Sequence, residues 1–200
     1  MARNFREAIK NRRTYYGFVN KSPITDDAIK ELIEFAVTHT PSAFNSQSTR
    51  VILLLGENHK KLWNITKEIL KAKLPEDAFK TTEAKINNLF ASGYGTILFY
   101  EDMSVIENLQ KTYPGYKDNF PIWSYQTSGM HQFAIWTLLE DAGLGASLQH
   151  YNPLIDDAVA KEWNINPKWK LIAEMPFGEP INQPGKKEYL PLNERVFVYK

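Results

Sequence analysis

Apolar positions recur along this chain at two periods, and the alternation between them predicts its elements. Phe5, Ala8 and Ile9 fall at helical spacing and predict a first helix over 5–13. Residues 22–27 read as a turn with Thr25 as the N-cap of a second helix through Ile29, Leu32, Ile33 and Ala36. The unbroken run Val51-Ile52-Leu53-Leu54-Leu55 predicts a buried strand. Leu62, Ile65, Ile69 and Leu70 predict a helix over 58–73; Pro75 ends it and 76–90 reads as another. Gly93 and Gly95 frame a turn before a strand at 96–100, and 103–111 is a short helix closed ahead of Pro114. The span 123–142 is apolar almost all round in its second half, which predicts burial on several sides, by its own sheet and by a second subunit. A strand at 146–150, a helix at 155–163 and strands at 169–174 and 196–199 complete the pattern. An arm with prolines at 176, 180, 184 and 191 leads to the last strand and is expected to wrap a partner rather than form a regular element. Many helices with four or five strands define an α+β class, a mixed sheet flanked by helices.

Composition narrows the chemistry. Two hundred residues without internal repeats or Gly/Ser linkers predict one domain, 1–200, with about 180–200 as its arm. Twenty-four basic residues against 23 acidic ones leave a formal charge of +1, so no electrostatic footprint for nucleic acid or an anionic membrane is expected. The absence of cysteine removes disulfides, thiolate metal sites and cysteine nucleophiles, and makes any redox role depend on a bound cofactor. The N-terminus is charged and amphipathic without an apolar leader, and no run reaches the roughly 18 apolar residues of a membrane span. A soluble cytoplasmic protein is the expectation, and no spaced His/Asp/Glu set predicts a metal.

Two segments carry candidate chemistry. In Thr40-Pro41-Ser42-Ala43-Phe44-Asn45-Ser46-Gln47, a proline stops a helix, small residues open the main chain to a planar ligand, and two amides can donate and accept along one edge of a heterocycle. An ordinary polar loop is the alternative. In Asn11-Arg12-Arg13-Thr14-Tyr15-Tyr16-Gly17-Phe18, two arginines and a hydroxyl follow a helix end. Neighbouring residues there point about 100° apart. They cannot share one surface ion pair, and Arg-Arg-Thr is a donor set for phosphate. A solvated helix cap is the alternative.

Together with Leu138 to Leu148, which carries a Gly143-Leu144-Gly145 turn, and with Pro176-Phe177-Gly178-Glu179-Pro180 followed by Lys186-Lys187, these segments resemble the nitroreductase family of flavoproteins over nearly the whole chain. Gln149-His150-Tyr151-Asn152-Pro153 resembles the branch of yeast fatty-acid-repression-mutant proteins and their bacterial relatives. The resemblance implies an intertwined homodimer with a swapped C-terminal arm, two composite sites, tightly bound FMN, and NADH or NADPH as a transient reductant. It implies phosphate contacts from Arg12, Arg13, Thr14 and Lys187, with Lys186 as a possible substitute because Tyr189 stands where a second basic residue is common. It also implies flavin contacts from Pro41, Ser42, Ala43, Asn45 and Gln47, and main-chain contacts from Leu148, Gln149 and His150. His150 is a weak candidate for an acid, and Phe44, Trp123 and Tyr125 are candidates to line a pocket for small-molecule acceptors such as nitroaromatics or quinones. The implied reaction is a ping-pong hydride transfer. An FMN-binding dimer with a regulatory or storage role, and a flavin-free structural dimer, stay open as alternatives.

Overall fold

The computed structural model describes residues 4–200. In chain order the elements are α1 (Phe5–Asn11), β1 (Phe18–Val19), α2 (Asp26–His39), β2 (Thr49–Leu55), α3 (Gly56–Lys71), α4 (Glu76–Leu89), β3 (Gly95–Asp102), α5 (Met103–Thr112), α6 (Asn119–Asp141), β4 (Gly145–Ala146), α7 (Asp156–Glu162) and β5 (Trp169–Pro180). Short 3-10 turns add Ala43–Asn45, Pro114–Tyr116 and Leu192–Glu194. The side chains of Asn4 and Thr25 cap α1 and α2, accepting from the Glu7 and Ala28 amides at 3.1 and 3.2 Å. The helix α6 starts at Asn119, earlier than its apolar pattern suggests, because Pro121 falls in the first turn, where a missing N–H breaks no bond.

The sheet runs β1-β5-β3-β2, with β4 paired to β5, and every strand pairing is antiparallel. A single-residue parallel bridge joins Thr14 to Ala146. The central strand β3 is buried on both faces, which is why its middle, Ile97 to Tyr100, is continuously apolar rather than alternating. Ile97 and Phe99 face α2 and α6, where Ile29, Ile33, Ile135 and Leu139 close one core; Leu98 and Tyr100 face α3 and α4, where Leu62, Trp63, Ile86 and Phe90 close the other. The architecture is therefore α+β, a mainly antiparallel sheet between helical layers.

Four departures from the sequence pattern have local causes. The strand β1 has only two residues, too few to show a period. The expected strand at 146–150 is the short β4 followed by one bridge between Gln149 and Glu174. The strand β5 runs through Pro176 to Pro180 instead of ending at 174: the Pro176 carbonyl accepts from the Ser147 amide at 3.1 Å, and Pro180 pairs with Phe18 at the strand's end. Gly178 makes that continuation possible, since a Cβ there would lie 2.8 Å from the Val19 carbonyl oxygen. Residues 196–199 form no strand within this chain and are exposed.

Candidate functional site

The arginine motif leaves α1 and lies against the edge of β4. The Tyr15 amide donates to the Ala146 carbonyl at 3.0 Å, and the Tyr15 ring packs on Gly145, where any Cβ would come within 2.8 Å of it. This anchor fixes the three residues before it. Arg12 is the C-cap of α1 and lays its guanidinium over Trp136 of α6, 4.5 Å from the ring centroid. Its Nε is buried with no hydrogen-bond partner. Burial first, and then the adjacent Arg13 cation, lower its proton affinity from the usual arginine value. Arg13 turns the other way and donates to the Gly185 carbonyl at 2.8 Å. The two arginines thus diverge, as their positions at a helix end require.

The C-terminal arm returns to the same edge. Tyr15 Oη donates to Gln183 at 3.2 Å, and the Lys187 ammonium lies 5.3 Å from the Tyr189 ring. A cavity of about 510 Å³ opens between Lys10, Arg13, Tyr15, Gln183 and Tyr189. Lys186 and Lys187 are both exposed. The roles of Tyr15 and Gln183 were not visible in the motif; a tyrosine directly after Arg-Arg-Thr was the only cue.

After β4, residues 147–151 form an extended strap along β5. The Ser147 amide donates to Pro176 and the Gln149 amide to Glu174, the latter at 2.7 Å, while the Glu174 amide returns a bond to the Gln149 carbonyl at 3.0 Å. The Gln149 main-chain N–H is thus spent within the sheet rather than turned outward. Alternation along an extended chain turns the Leu148 and His150 amides to the opposite side. The His150 side chain is exposed. Sequence reasoning also missed Glu174, which is fully buried and whose Oε2 accepts from the Tyr151 amide at 2.9 Å. A lone carboxylate inside the apolar run Leu171-Ile172-Ala173-Glu174-Met175 was the available signal.

The Pro-Ser loop lies elsewhere. It leads into β2, the far edge of the sheet, three strand spacings or about 14 Å from the strap. Phe44, Asn45 and Gln47 all have positive φ, at 57°, 50° and 48°. The Asn45 and Gln47 amides bond back to Ser42, at its carbonyl (2.9 Å) and its Oγ (3.0 Å), and hold that shape. Both side-chain amides are exposed, as is Pro41, while Ser42 and Ala43 are half-buried. Phe44 sits among Tyr113, Phe120, Tyr116 and Trp123 at ring separations of 4.9 to 6.1 Å. Tyr125 is not part of this group: its hydroxyl accepts from Lys170 at 2.8 Å on another face of α6. One chain therefore brings Arg12, Arg13, Thr14, the strap and the arm together, and leaves Asn45 and Gln47 on the opposite edge.

Below that loop, Glu101 is buried and accepts from Ser48 and Thr49 hydroxyls at 2.6 and 2.7 Å, and His131 Nδ1 lies 2.9 Å from the Thr127 carbonyl. His131 is a satisfied core histidine, with its proton affinity lowered chiefly by burial. Among the described residues no helix is long and apolar enough to cross a membrane, and no cluster of His, Asp and Glu could hold a metal.

A helix-flanked antiparallel sheet with a diarginine motif at one edge and a Pro-Ser loop at the other defines the α+β class of this protein. Comparison with known proteins makes this specific: the nitroreductase family profile matches residues 9–179, and the chain belongs to the nitroreductase family. It is 35% identical to the nitroreductase HBN1 of Saccharomyces cerevisiae over 188 residues, covering 93% of each chain. It is 32% identical to the nitroreductase FRM2 of the same yeast over 200 residues, covering 98% of this chain and 97% of that one. The nitroreductase CinD of Lactococcus lactis, solved with nicotinic acid, superposes with a TM-score of 0.91 at 43% identity, covering 98% of this chain and all of CinD.

Proposed function

We propose that this protein is an FMN-dependent NAD(P)H oxidoreductase that reduces nitroaromatic, quinone or similar flat acceptors by a ping-pong mechanism, working as a homodimer with two composite sites. The observation that carries the assignment is Arg12: a buried guanidinium N–H without an acceptor, beside a second cation and a threonine hydroxyl. Such a set is stabilised by an anion, and a phosphate monoester has the right charge and number of acceptor oxygens. The unpaired Arg12 N–H supports an FMN phosphate at this edge, with Arg13 needing to turn from Gly185 to join it.

Arg12, Arg13 and Thr14 would hold the phosphate, with Lys187 or Lys186 contributed by the arm. The outward amides of Leu148 and His150 would donate to the flavin edge, and Asn45 and Gln47 of a second copy would complete it, with Pro41, Ser42 and Ala43 giving close main chain. The separation of the two motifs within one chain favours this composite arrangement. When bound, FMN supplies hydride transfer from NADH or NADPH and onward reduction of the acceptor. The aromatic group around Phe44 supplies a flat, apolar wall for that acceptor. CinD has been solved with 4-nitrophenol and with chloramphenicol as well as with nicotinic acid, and all three are flat rings or carry one. A nitroreductase-fold protein of Exiguobacterium sibiricum, 14% identical with a TM-score of 0.73, was solved with FMN and shares the fold.

The test is the visible spectrum of the purified protein after addition of FMN, taken before and after anaerobic NADH or NADPH. Bound-flavin bands that bleach, and return when a nitroaromatic or quinone is added, are the expected result. Bound flavin that does not bleach would point to a storage or regulatory dimer, and a protein that takes up no FMN would end the flavin assignment.

A further inference from the structure

Glu174 is held by more of the strap than any ladder residue needs. Its backbone exchanges two bonds with Gln149, and its side chain adds a third from Oε2 to the Tyr151 amide. The carboxyl group is fully buried, and its other oxygen, Oε1, has no partner. Two further buried oxygens are also without partners, Asn152 Oδ1 on the residue after the strap and Asp156 Oδ1 on α7, whose charge acts on Glu174. Three orphaned acceptors cannot bond to one another. A proton on Glu174 Oε1 would make that oxygen a donor and remove a buried charge.

We propose that Glu174 is a positioning residue for the cofactor: as a protonated, neutral group it clamps the 147–151 strap and so fixes the Leu148 and His150 amides that face the flavin. The role of the strap rests on the flavin assignment above; the clamp itself does not. The groups around Glu174 support a neutral state. Tyr100 on β3 is buried and Tyr151 on the strap half-buried beside it, Asp156 acts on it from α7, and Lys170 of β5 acts on Asp156. Burial, opposed by the Tyr151 and Asn152 amides and reinforced by Asp156, pushes its carboxyl up to about 7. Lifting the strap would let water reach the carboxylate. Ionisation therefore favours the lifted strap, and the clamp weakens as pH rises through 7.

The experiment uses the full chain with FMN, comparing wild type with Glu174→Gln, whose amide imitates the neutral acid and cannot titrate. Amide hydrogen exchange over 147–152, corrected for the intrinsic pH dependence, should show wild-type protection falling about tenfold between pH 6 and pH 8. E174Q should stay protected and flat. FMN affinity, read from flavin fluorescence, should weaken across the same interval in wild type and not in E174Q. Asp156→Asn removes the like charge, keeps the clamp, and should move the wild-type midpoint to lower pH, which keeps the idea testable if E174Q folds poorly. Exchange in E174Q that follows wild type would overturn the clamp, as would an unmoved midpoint in D156N. A pH-dependent strap with FMN affinity indifferent to E174Q would overturn the link to the cofactor. Failure of both proteins to take up FMN at any pH would instead remove the flavin assignment, while the exchange data would still decide separately whether Glu174 holds the strap.

Discussion

Arg12 shows how much a single side chain can say about a ligand. Its guanidinium is packed on Trp136 and cannot swing away to solvent without losing that contact, yet its Nε faces no acceptor. Replacing Arg12 with Ala should remove a charge-assisted bond worth about 1.5–3 kcal/mol, so FMN affinity measured by titration should fall roughly tenfold to a hundredfold. Unchanged affinity would move the phosphate elsewhere. The diarginine motif was readable in sequence because its residue types are unusual together; the divergence of its members was readable from helix geometry. Glu174 is the opposite case, since nothing in its local sequence says that its carboxyl turns back onto the Tyr151 amide, 23 residues earlier. Its buried acid also has a consequence for stability. The folded state keeps a proton to about pH 7 that the unfolded chain releases near 4.5, so folding binds a proton between those values and stability falls as pH rises through them. E174Q lacks that loss and should be more stable than wild type at pH 8 by about 2–3 kcal/mol, with the difference fading towards pH 5. Denaturant melts across this range would show it; a gap constant with pH would contradict it.

At the scale of elements, the Pro-Ser loop is held from below rather than by its own contacts with solvent. Glu101 at the end of β3 takes the hydroxyls of Ser48 and Thr49, the first residues after the loop, in a fully buried position. Burial raises its proton affinity, and the two hydroxyls and Arg50 oppose that rise. Glu101→Ala would leave both hydroxyls buried without an acceptor, at a cost of about 2–3 kcal/mol. We expect a lowered Tm in a thermal melt and weaker FMN binding; a Tm equal to wild type would show that water replaces the carboxylate. The helices and the β2 and β3 strands were legible because their apolar periods are long. The short β1, the irregular strap and the extension of β5 through two prolines were not, because each depends on a partner strand distant in sequence. The left-handed residues at Phe44 and Gln47 escaped notice for a related reason: only Asn45, among the three, belongs to a type that commonly adopts that conformation.

The whole molecule leaves apolar surface that one chain does not cover. Phe5, Phe35, Met130 and Phe133 line an apolar groove of about 470 Å³ between α1, α2 and α6, all four exposed, and Leu190, Leu192, Val196, Phe197 and Val198 stand exposed along the arm. Exposed apolar surface of this extent marks an interaction site. The nearly all-apolar second half of α6 already pointed to a second subunit in sequence, and the surfaces such a subunit would cover are the groove and the edge where Arg13 and Tyr15 hold the start of the arm. The arm is thus tied at its root and free at its end. Deleting residues 182–200 spares β5 and the bond from the Ile181 amide to Gly17, so the sheet should survive. What it removes is the Gln183 and Gly185 contacts to the arginine motif and the apolar stretch beyond them. We expect the truncated protein to sediment as a monomer, to keep a helical circular dichroism spectrum, and to lose FMN, since both the arm's contacts to the arginine motif and the loop from the second copy would be gone. A truncated protein that still sediments as a dimer and retains flavin would show that α6 and its groove hold the subunits together without the arm, and that Arg12, Arg13 and Thr14 hold the phosphate without it.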